Sequence, residues 1–328
     1  MILIVTHKED PHPNRVIDYI LKNGSSVFRL NTEELLTDYT LNCNVTQNSI
    51  NFFINTLDGL HDINLNDCSS VWIRRAFAPN QYNGALLEQV RKHNLIEAKG
   101  FLDYMLNYIS QSKFTIGSFI YDSLASSKIL QYIIAEQLGM KIPNTCFSNK
   151  KEDIIQFAKQ YEFITLKPIK NDNVYLGGEE EFVFFTQKIK SSELAYIADE
   201  VFSQTINFVQ EYIEKSFELR ITTVCDDVFA CKILSQEMDE THGKIDWRQG
   251  IETDMKHEPF RLPVEIANFC RKYLKSLNLN FGCFDFIVTP QDEYVFLECN
   301  PNGQWMWIEE LTGLKISNSI AKHLLKSK

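Results

Sequence analysis

The sequence predicts an α/β fold assembled from successive α+β lobes, and three observations carry that expectation. The chain has 328 residues, 44% of them hydrophobic, which exceeds the usual size of one domain and can bury a large core, so two or three lobes are expected. It opens with an apolar strand pattern over residues 2–5, an amphipathic helix pattern over 14–22, Gly24 as a helix stop and a strand over 26–30, the beginning of a βαβ unit. Near the other end, two alternating runs flank a turn at 290–293 and read as an antiparallel hairpin.

Between these ends the elements follow in order. The run Val71-Trp-Ile-Arg74-Arg75 reads as a short strand, followed beyond Pro79 by a helix over 84–108. Arg74 and Arg75 suit either a ligand contact at a strand end or a solvated terminus. A second lobe starts near Tyr121 with a helix over 123–138 closed by Gly139, then a strand over 145–147 and a helix over 151–160. The strand 163–167 ends on Lys167 before Pro168. Polar residues 170–181 read as a mobile turn, 182–186 as a strand and 192–203 as an acidic amphipathic helix. The last lobe holds strands over 208–213, 217–225 and 228–234, a loop-like stretch from 245 to 257 that fits a flap or a mere connection, and the hairpin. The expected units are 1–120, 121–206 and 207–328.

The hairpin is the most informative segment. With 290–293 as its loop, Val288 faces Val295, and Asp285 falls opposite Glu298 on the same face. Two bare carboxylates placed that way repel. The strand period of two adds Asn300 to that face, giving three oxygen donors around one point, while Phe284, Phe286, Val295 and Leu297 bury the other face and fix the register. A hard cation turns the repulsion into binding, and magnesium suits one or two carboxylates whose octahedron is completed by phosphate oxygens and water. Lys128 and Lys167 each fit a phosphate contact or a snorkelling surface cation. Glu218, Arg220 and Thr222 share a strand face. Arg220 there fits either a clamp on a transferring phosphoryl group or one half of a surface pair with Glu218. Asp246-Trp247-Arg248 offers a second arginine.

Composition excludes several classes. A formal charge of -10 argues against a nucleic-acid binder. Eight cysteines without a Cys-x-x-Cys pair or a zinc spacing read as reduced, mostly buried thiols. No apolar run is long enough for a membrane helix, the start lacks a signal-peptide pattern, and a cytoplasmic protein is expected. No Gly-x-Gly-x-x-Gly follows the first strand, so a dinucleotide fingerprint is absent.

Taken together, Ser127-Lys128, Gly139 to Thr145, Leu166-Lys167-Pro168, Val209-Gln210-Glu211-Tyr212-Ile213, Asp285 and Glu298-Cys-Asn300-Pro resemble the ATP-grasp superfamily over residues 121–302. The runs 178–186, 217–222, 246–248 and 296–305 are similar to those of the graspetide ligases, the microviridin-type peptide cyclases, and Val71 to Arg75 extends the likeness into the first lobe. This implies an ATP-grasp fold behind an N-terminal pre-ATP-grasp domain. It also implies an ATP- and Mg²⁺-dependent enzyme that activates Asp or Glu side chains of a precursor peptide as acyl phosphates and joins them to Thr or Ser (ester) or Lys (amide). Lys128, Lys167, Gln210, Glu211, Tyr212 and Glu218 are then assigned to the nucleotide, with Glu211 and Tyr212 as the adenine hinge and Glu218 at the ribose. Arg220, Arg248 and Asp246 go to the catalytic set, and Asp285, Glu298 and Asn300 to the metal. Arg74, Arg75, Glu193, Asp199 and Glu200 are assigned to the peptide, and a homodimer is implied. The loop 170–181 is poorer in glycine than in the family. The general base stays open among Glu179 to Glu181, Asp246 and Glu309. Two other readings are a ligase that adds free amino acids to a protein tail or small acid, and a non-catalytic nucleotide- or peptide-binding protein.

Overall fold

The computed structural model describes residues 1–82, 84, 87–170, 174–175, 181–238, 241–250 and 255–326. The N-terminal part is built on a parallel sheet in the order Val27–Asn31, Ile2–Thr6, Ser70–Ile73 and Phe114–Ile116. Ile2, Leu3, Ile4 and Val5 are all fully buried because both faces of the sheet are covered. Leu3 and Val5 pack with Leu102, Met105 and Leu106 of the helix Glu88–Ser112. Ile2 and Ile4 pack with Ile316, Ile320 and Leu324 of the C-terminal helix Ile316–Lys326. Ser70 Oγ donates to the Leu324 carbonyl at 2.8 Å, so strand alternation joins the two ends of the chain in one core. A meander of Tyr39–Val45, Ile50–Thr56 and Asp62–Asn64 forms a separate antiparallel sheet that the sequence pattern did not reveal.

Several expected boundaries shift for local reasons. The helix expected over 123–138 is two helices, Phe119–Ala125 and Lys128–Gln137. Ser127 is extended at the break, and the Gln131 amide donates to the freed Ala125 carbonyl at 2.6 Å. The acidic helix expected over 192–203 is a 3-10 turn, Ser191–Tyr196, followed by Asp199–Ser203. There Lys151 Nζ donates to the carbonyls of Ala195 and Ile197, while Leu194 and Phe202 remain buried.

The central lobe carries the antiparallel order Gln187–Lys190, Phe163–Lys167, Asn207–Glu211 and Thr145–Ser148. Strand structure expected over 182–186 lies at Glu181–Phe182 and Gln187–Lys190 instead, and the Thr186 N–H donates to Asp246 at 3.0 Å rather than to a ladder. The C-terminal lobe is a five-stranded antiparallel sheet in the order His257–Pro259, Asp227–Ile233, Phe217–Val224, Phe281–Val288 and Tyr294–Asn300. One face packs Phe284, Phe286 and Phe296 on Phe269 and Tyr273 of the helix Val264–Ser276. The opposite face forms the floor of a cavity shared with the central lobe.

Candidate active site

The floor is a row of charged residues set by strand register. Arg220 lies opposite Asp285 on one side, and Asp285 lies opposite Glu298 on the other. The juxtaposition of Asp285 and Glu298 is the expected one, but it arises differently. Val288 pairs with Tyr294 rather than Val295, and Phe286 with Phe296, so the register shifts between Asp285 and Phe286 with Leu297 as the extra residue. That bulge brings Glu298 opposite Asp285 and turns Leu297 toward the cavity, away from the buried face expected for it.

Arg220 is buried, and its Nη1 donates to Asp285 Oδ2 at 2.6 Å, not to Glu218 as a surface pair would require. Its Nη2 donates to the Gln304 carbonyl at 3.3 Å. A Cβ on Gly303 would stand 2.4 Å from Cys283 Cβ and 2.9 Å from Arg220 Nη2, so only glycine lets the chain pass this close. Burial would raise Glu298, but Lys128, hydrogen-bonded to its Oε2, brings it down to about 2 with help from Arg248 and Arg220. Burial lifts Asp285 to about 6, Arg220 opposes the rise and Glu298 adds to it. Asn300 Nδ2 donates to Glu298 Oε1 at 3.2 Å, completing the three-donor face.

Above this row lies a cavity of about 1080 Å³. Lys128, Lys167, Gln210, Glu211, Tyr212, Glu218, Asp246 and Arg248 line it together with Arg220, Asp285, Glu298 and Asn300, so the lobes bring together residues up to 172 positions apart, from Lys128 to Asn300. Burial pushes Lys167 down to about 8, and it makes no ion pair among the described residues. Gln210 donates to Tyr132 and Thr145 hydroxyls at 3.0 Å each, while its Oε1 is buried without a partner among the described residues. Glu211 accepts the Asn144 N–H at 2.8 Å, and Lys188 Nζ sits 3.6 Å over the Tyr212 ring. Arg248 donates from Nε and Nη2 to the two oxygens of Asp246, at 2.9 and 2.6 Å.

Other assignments divide. Arg74 is buried on Asp10, Nε to Oδ2 at 2.8 Å, and donates to the Gly303 carbonyl at 3.2 Å; it reaches no ligand space. The strand stops at Ile73, and Arg75 takes a left-handed backbone with φ 48°, which places it at the cavity wall. Glu193 and Glu200 lie exposed outside the cavity, and Asp199 pairs there with Lys151 at 2.9 Å. Glu309 accepts the N–H and hydroxyl of Ser317, capping the last helix, and does not line the cavity. Glu179 and Glu180 lie outside the described residues, as does most of 170–181. Sequence pattern missed Lys215, which binds Glu218 together with Ser235, and Asp122, bonded to Asn302. Neither carries a periodic or spacing signal; only the fold brings them in.

Charged residues from two lobes converge on one row at the floor of a shared cavity, the arrangement expected of an ATP-grasp enzyme. A family model for an MvdD pre-ATP-grasp domain matches residues 1–121, and one for a RimK-like ATP-grasp domain matches residues 125–324. The chain is similar to the Chryseobacterium gregarium RiPP-associated ATP-grasp ligase in complex with ADP and a leader and core peptide, with 31% identity, a TM-score of 0.90 and coverage of 100% of this chain and 97% of that one. It is also similar to macrocyclase MdnC of Microcystis aeruginosa MRC, bound there with precursor peptide MdnA, at 31% identity, TM-score 0.86 and 100% of both chains. Macrocyclase MdnB of the same organism shows 26% identity, TM-score 0.77, and 99% and 98% coverage. No curated protein matches. The chain belongs to the RiPP-associated ATP-grasp ligases, the graspetide family, and is an ATP-dependent ligase. No helix among the described residues is long and apolar enough to cross a membrane.

Proposed function

We propose that this ligase activates Asp or Glu side chains of a ribosomally made precursor peptide as acyl phosphates and joins them to Thr or Ser hydroxyls, or to a Lys amine, of the same peptide, closing macrocycles. The observation that carries this reading is the Arg220–Asp285–Glu298 row beneath a cleft that also holds Lys128, Lys167 and Arg248. Phosphoryl transfer needs position and charge neutralisation more than a covalent nucleophile, and this cleft supplies six cations, Arg75, Lys128, Lys167, Lys215, Arg220 and Arg248, with no cysteine among its described lining residues.

Each residue's part follows from its place. Gln210, Glu211 and Tyr212 border the apolar end, where Tyr132 and Phe208 suit a flat base, and Glu218 with Lys215 borders the sugar. Lys167, without an ion pair among the described residues, and Lys128 hold the phosphates. Arg220 and Arg248 neutralise charge on the transferred group, with Asp246 fixing the Arg248 plane. Asp285, Glu298 and Asn300 fit Mg²⁺: they are hard oxygen donors, and Lys128 and Arg220 already neutralise the two carboxylates in its place. When bound, that ion neutralises the nucleotide's phosphates. We assign residues 121–206 and 207–328 as the two lobes that clasp the nucleotide and 1–120, through Arg75, as the part facing the peptide. Glu193, Asp199 and Glu200 present an exposed acidic strip for a basic leader. Eight unpaired thiols fit the reducing cytoplasm. Val90, Ile96 and Tyr104, exposed on the long helix, suit a homodimer.

The test is mass spectrometry of a Thr/Ser- and Asp/Glu-rich peptide sought in a neighbouring gene, incubated with this protein and Mg-ATP. Loss of one water per ring, absent with Glu298→Gln, is the expected result. Unmodified peptide with ADP release driven by free amino acids replaces this reading with amino-acid addition.

A further inference from the structure

Attack on an acyl phosphate by a hydroxyl requires a group to take the hydroxyl proton, and most of the cavity's carboxylates are already committed. Asp285, Glu298, Glu218 and Asp246 each carry a cationic partner: Arg220, Lys128, Lys215 and Arg248 respectively. Glu211 accepts a backbone N–H at the nucleoside end. Asp122, in the helix Phe119–Ala125, differs from all of these. It lines the same cavity, carries no cation among the described residues, and accepts a hydrogen bond through Oδ2 from Asn302 Nδ2; the Ser118 N–H also draws on the carboxylate, while its Oδ1 is buried with no hydrogen-bond partner among the described residues. Its place is also specific. Asn302 stands two residues beyond Asn300 of the oxygen-donor face, so their Cα atoms lie within about 7 Å. It also directly precedes Gly303, which presses on Arg220. Asp122 thus lines the cavity beside the segment that carries Asn300 and Gly303.

We infer that Asp122 is the general base of the second half-reaction, positioned by Asn302, an assignment that rests on the peptide-ligase reading above. The acceptor hydroxyl oxygen bonds to the acyl carbon as its proton passes to Asp122 Oδ1. The bond between that carbon and the phosphate oxygen then breaks, its electron pair leaves with inorganic phosphate, and Asp122 returns the proton to solvent. Burial independently lifts the Asp122 carboxyl to about 7, against the pull of Asn302 and the Ser118 N–H, so both its forms are populated near neutral pH, the condition in which a base works best. His257 also lines the cavity, with Nε2 unpartnered, but its ring is set edge-on against Trp307 on the outermost strand, at the far end of the sheet from Glu298.

Hydroxylamine separates the half-reactions, because it captures acyl phosphates as hydroxamates without needing a base. Wild type, Asp122→Asn, Asp122→Ala and His257→Asn are each given Mg-ATP, the neighbouring-gene peptide and hydroxylamine, and ring and hydroxamate are counted by mass. In Asp122→Asn the ratio of ring to hydroxamate is expected to fall by about 10²–10⁴-fold. Formate is expected to restore part of the ring in Asp122→Ala, which a merely structural role would not produce. Ring and hydroxamate falling together in both variants, an unchanged ratio, no formate rescue, or the same ratio change in His257→Asn would each overturn the assignment. If wild type itself gives neither product and no peptide-dependent ADP, the peptide-ligase reading falls and this one with it.

Discussion

Two arginine–aspartate pairs adjoin the Gly303 turn, and they do different work with the same chemistry. Arg74 and Asp10, 2.8 Å apart, belong to the N-terminal domain, while Arg220 and Asp285, 2.6 Å apart, lie on the cavity floor. Asp10 also accepts from the backbone and ring of His12, at 3.0 and 2.8 Å, and from the Thr6 hydroxyl at 3.4 Å, so one carboxylate is held by three residues. Burial disfavours its charge, yet His12 and Arg74 hold Asp10 well below the usual carboxylate range. Asp285 shares its surroundings with Glu298, and burial leaves it raised. The first pair is enclosed by protein away from the cavity; the second borders the cavity, and its carboxylate sits beside that of Glu298. Ion pairing by itself therefore says little about function, and the decisive difference is what adjoins the pair.

The sharpest way to break the comparison is to remove one partner of the closed pair. Arg74→Ala leaves Asp10 buried without its cationic partner and should cost about 3–5 kcal/mol in urea unfolding. A loss near zero would show the pair to be dispensable. In the open pair the effect should move to rate: Arg220→Lys, folded by circular dichroism, should lower kcat about 10²–10³-fold, because an ammonium cannot span Asp285 and the Gln304 carbonyl as the planar fork does. Asp10→Asn should cost about 1.5–3 kcal/mol at neutral pH. The sign of its pH dependence follows from the depressed folded value. That stability is present above the ordinary 3.8 and is lost as pH falls through the lower folded value, so melts of wild type and variant should converge only in acid.

Lys167 is the open region's counterpart to a satisfied charge. Lys167→Met should stabilise the ligand-free protein by about 1 kcal/mol while weakening ATP binding, measured by melting with and without nucleotide. Stabilisation with unchanged nucleotide affinity would remove Lys167 from the phosphate site. The smallest effect belongs to the exposed acidic strip: Asp199→Ala should change stability by no more than about 0.5 kcal/mol, while peptide affinity drops and its salt dependence weakens in a titration.

Much of the floor was legible in the sequence because strands alternate. The apolar positions Phe284 and Phe286 fix which face Asp285 takes, and Glu298 and Asn300 follow at a spacing of two. The βαβ start was legible for the same reason, since residues 2–5 are continuously apolar. The meander at 39–64 was not: Tyr39–Val45 alternates half-buried and exposed residues around asparagines, too weak a pattern to stand out. The paired arginines 74 and 75 were equally ambiguous, because their separation depends on the strand ending at Ile73 and on one positive φ.

By itself the sequence determined the α/β character and the face that Asp285, Glu298 and Asn300 share, both consequences of periodicity and of residue chemistry within short segments. Tertiary structure alone decided the rest. The bulge at Leu297 sets Glu298 opposite Asp285, Lys215 takes Glu218, Asp10 takes Arg74, and Asn302 holds Asp122, 180 positions away in the chain. The physical reason is common to all four. Which polar group a buried charge finds depends on long-range packing that removes water from around it, and no local pattern encodes that removal.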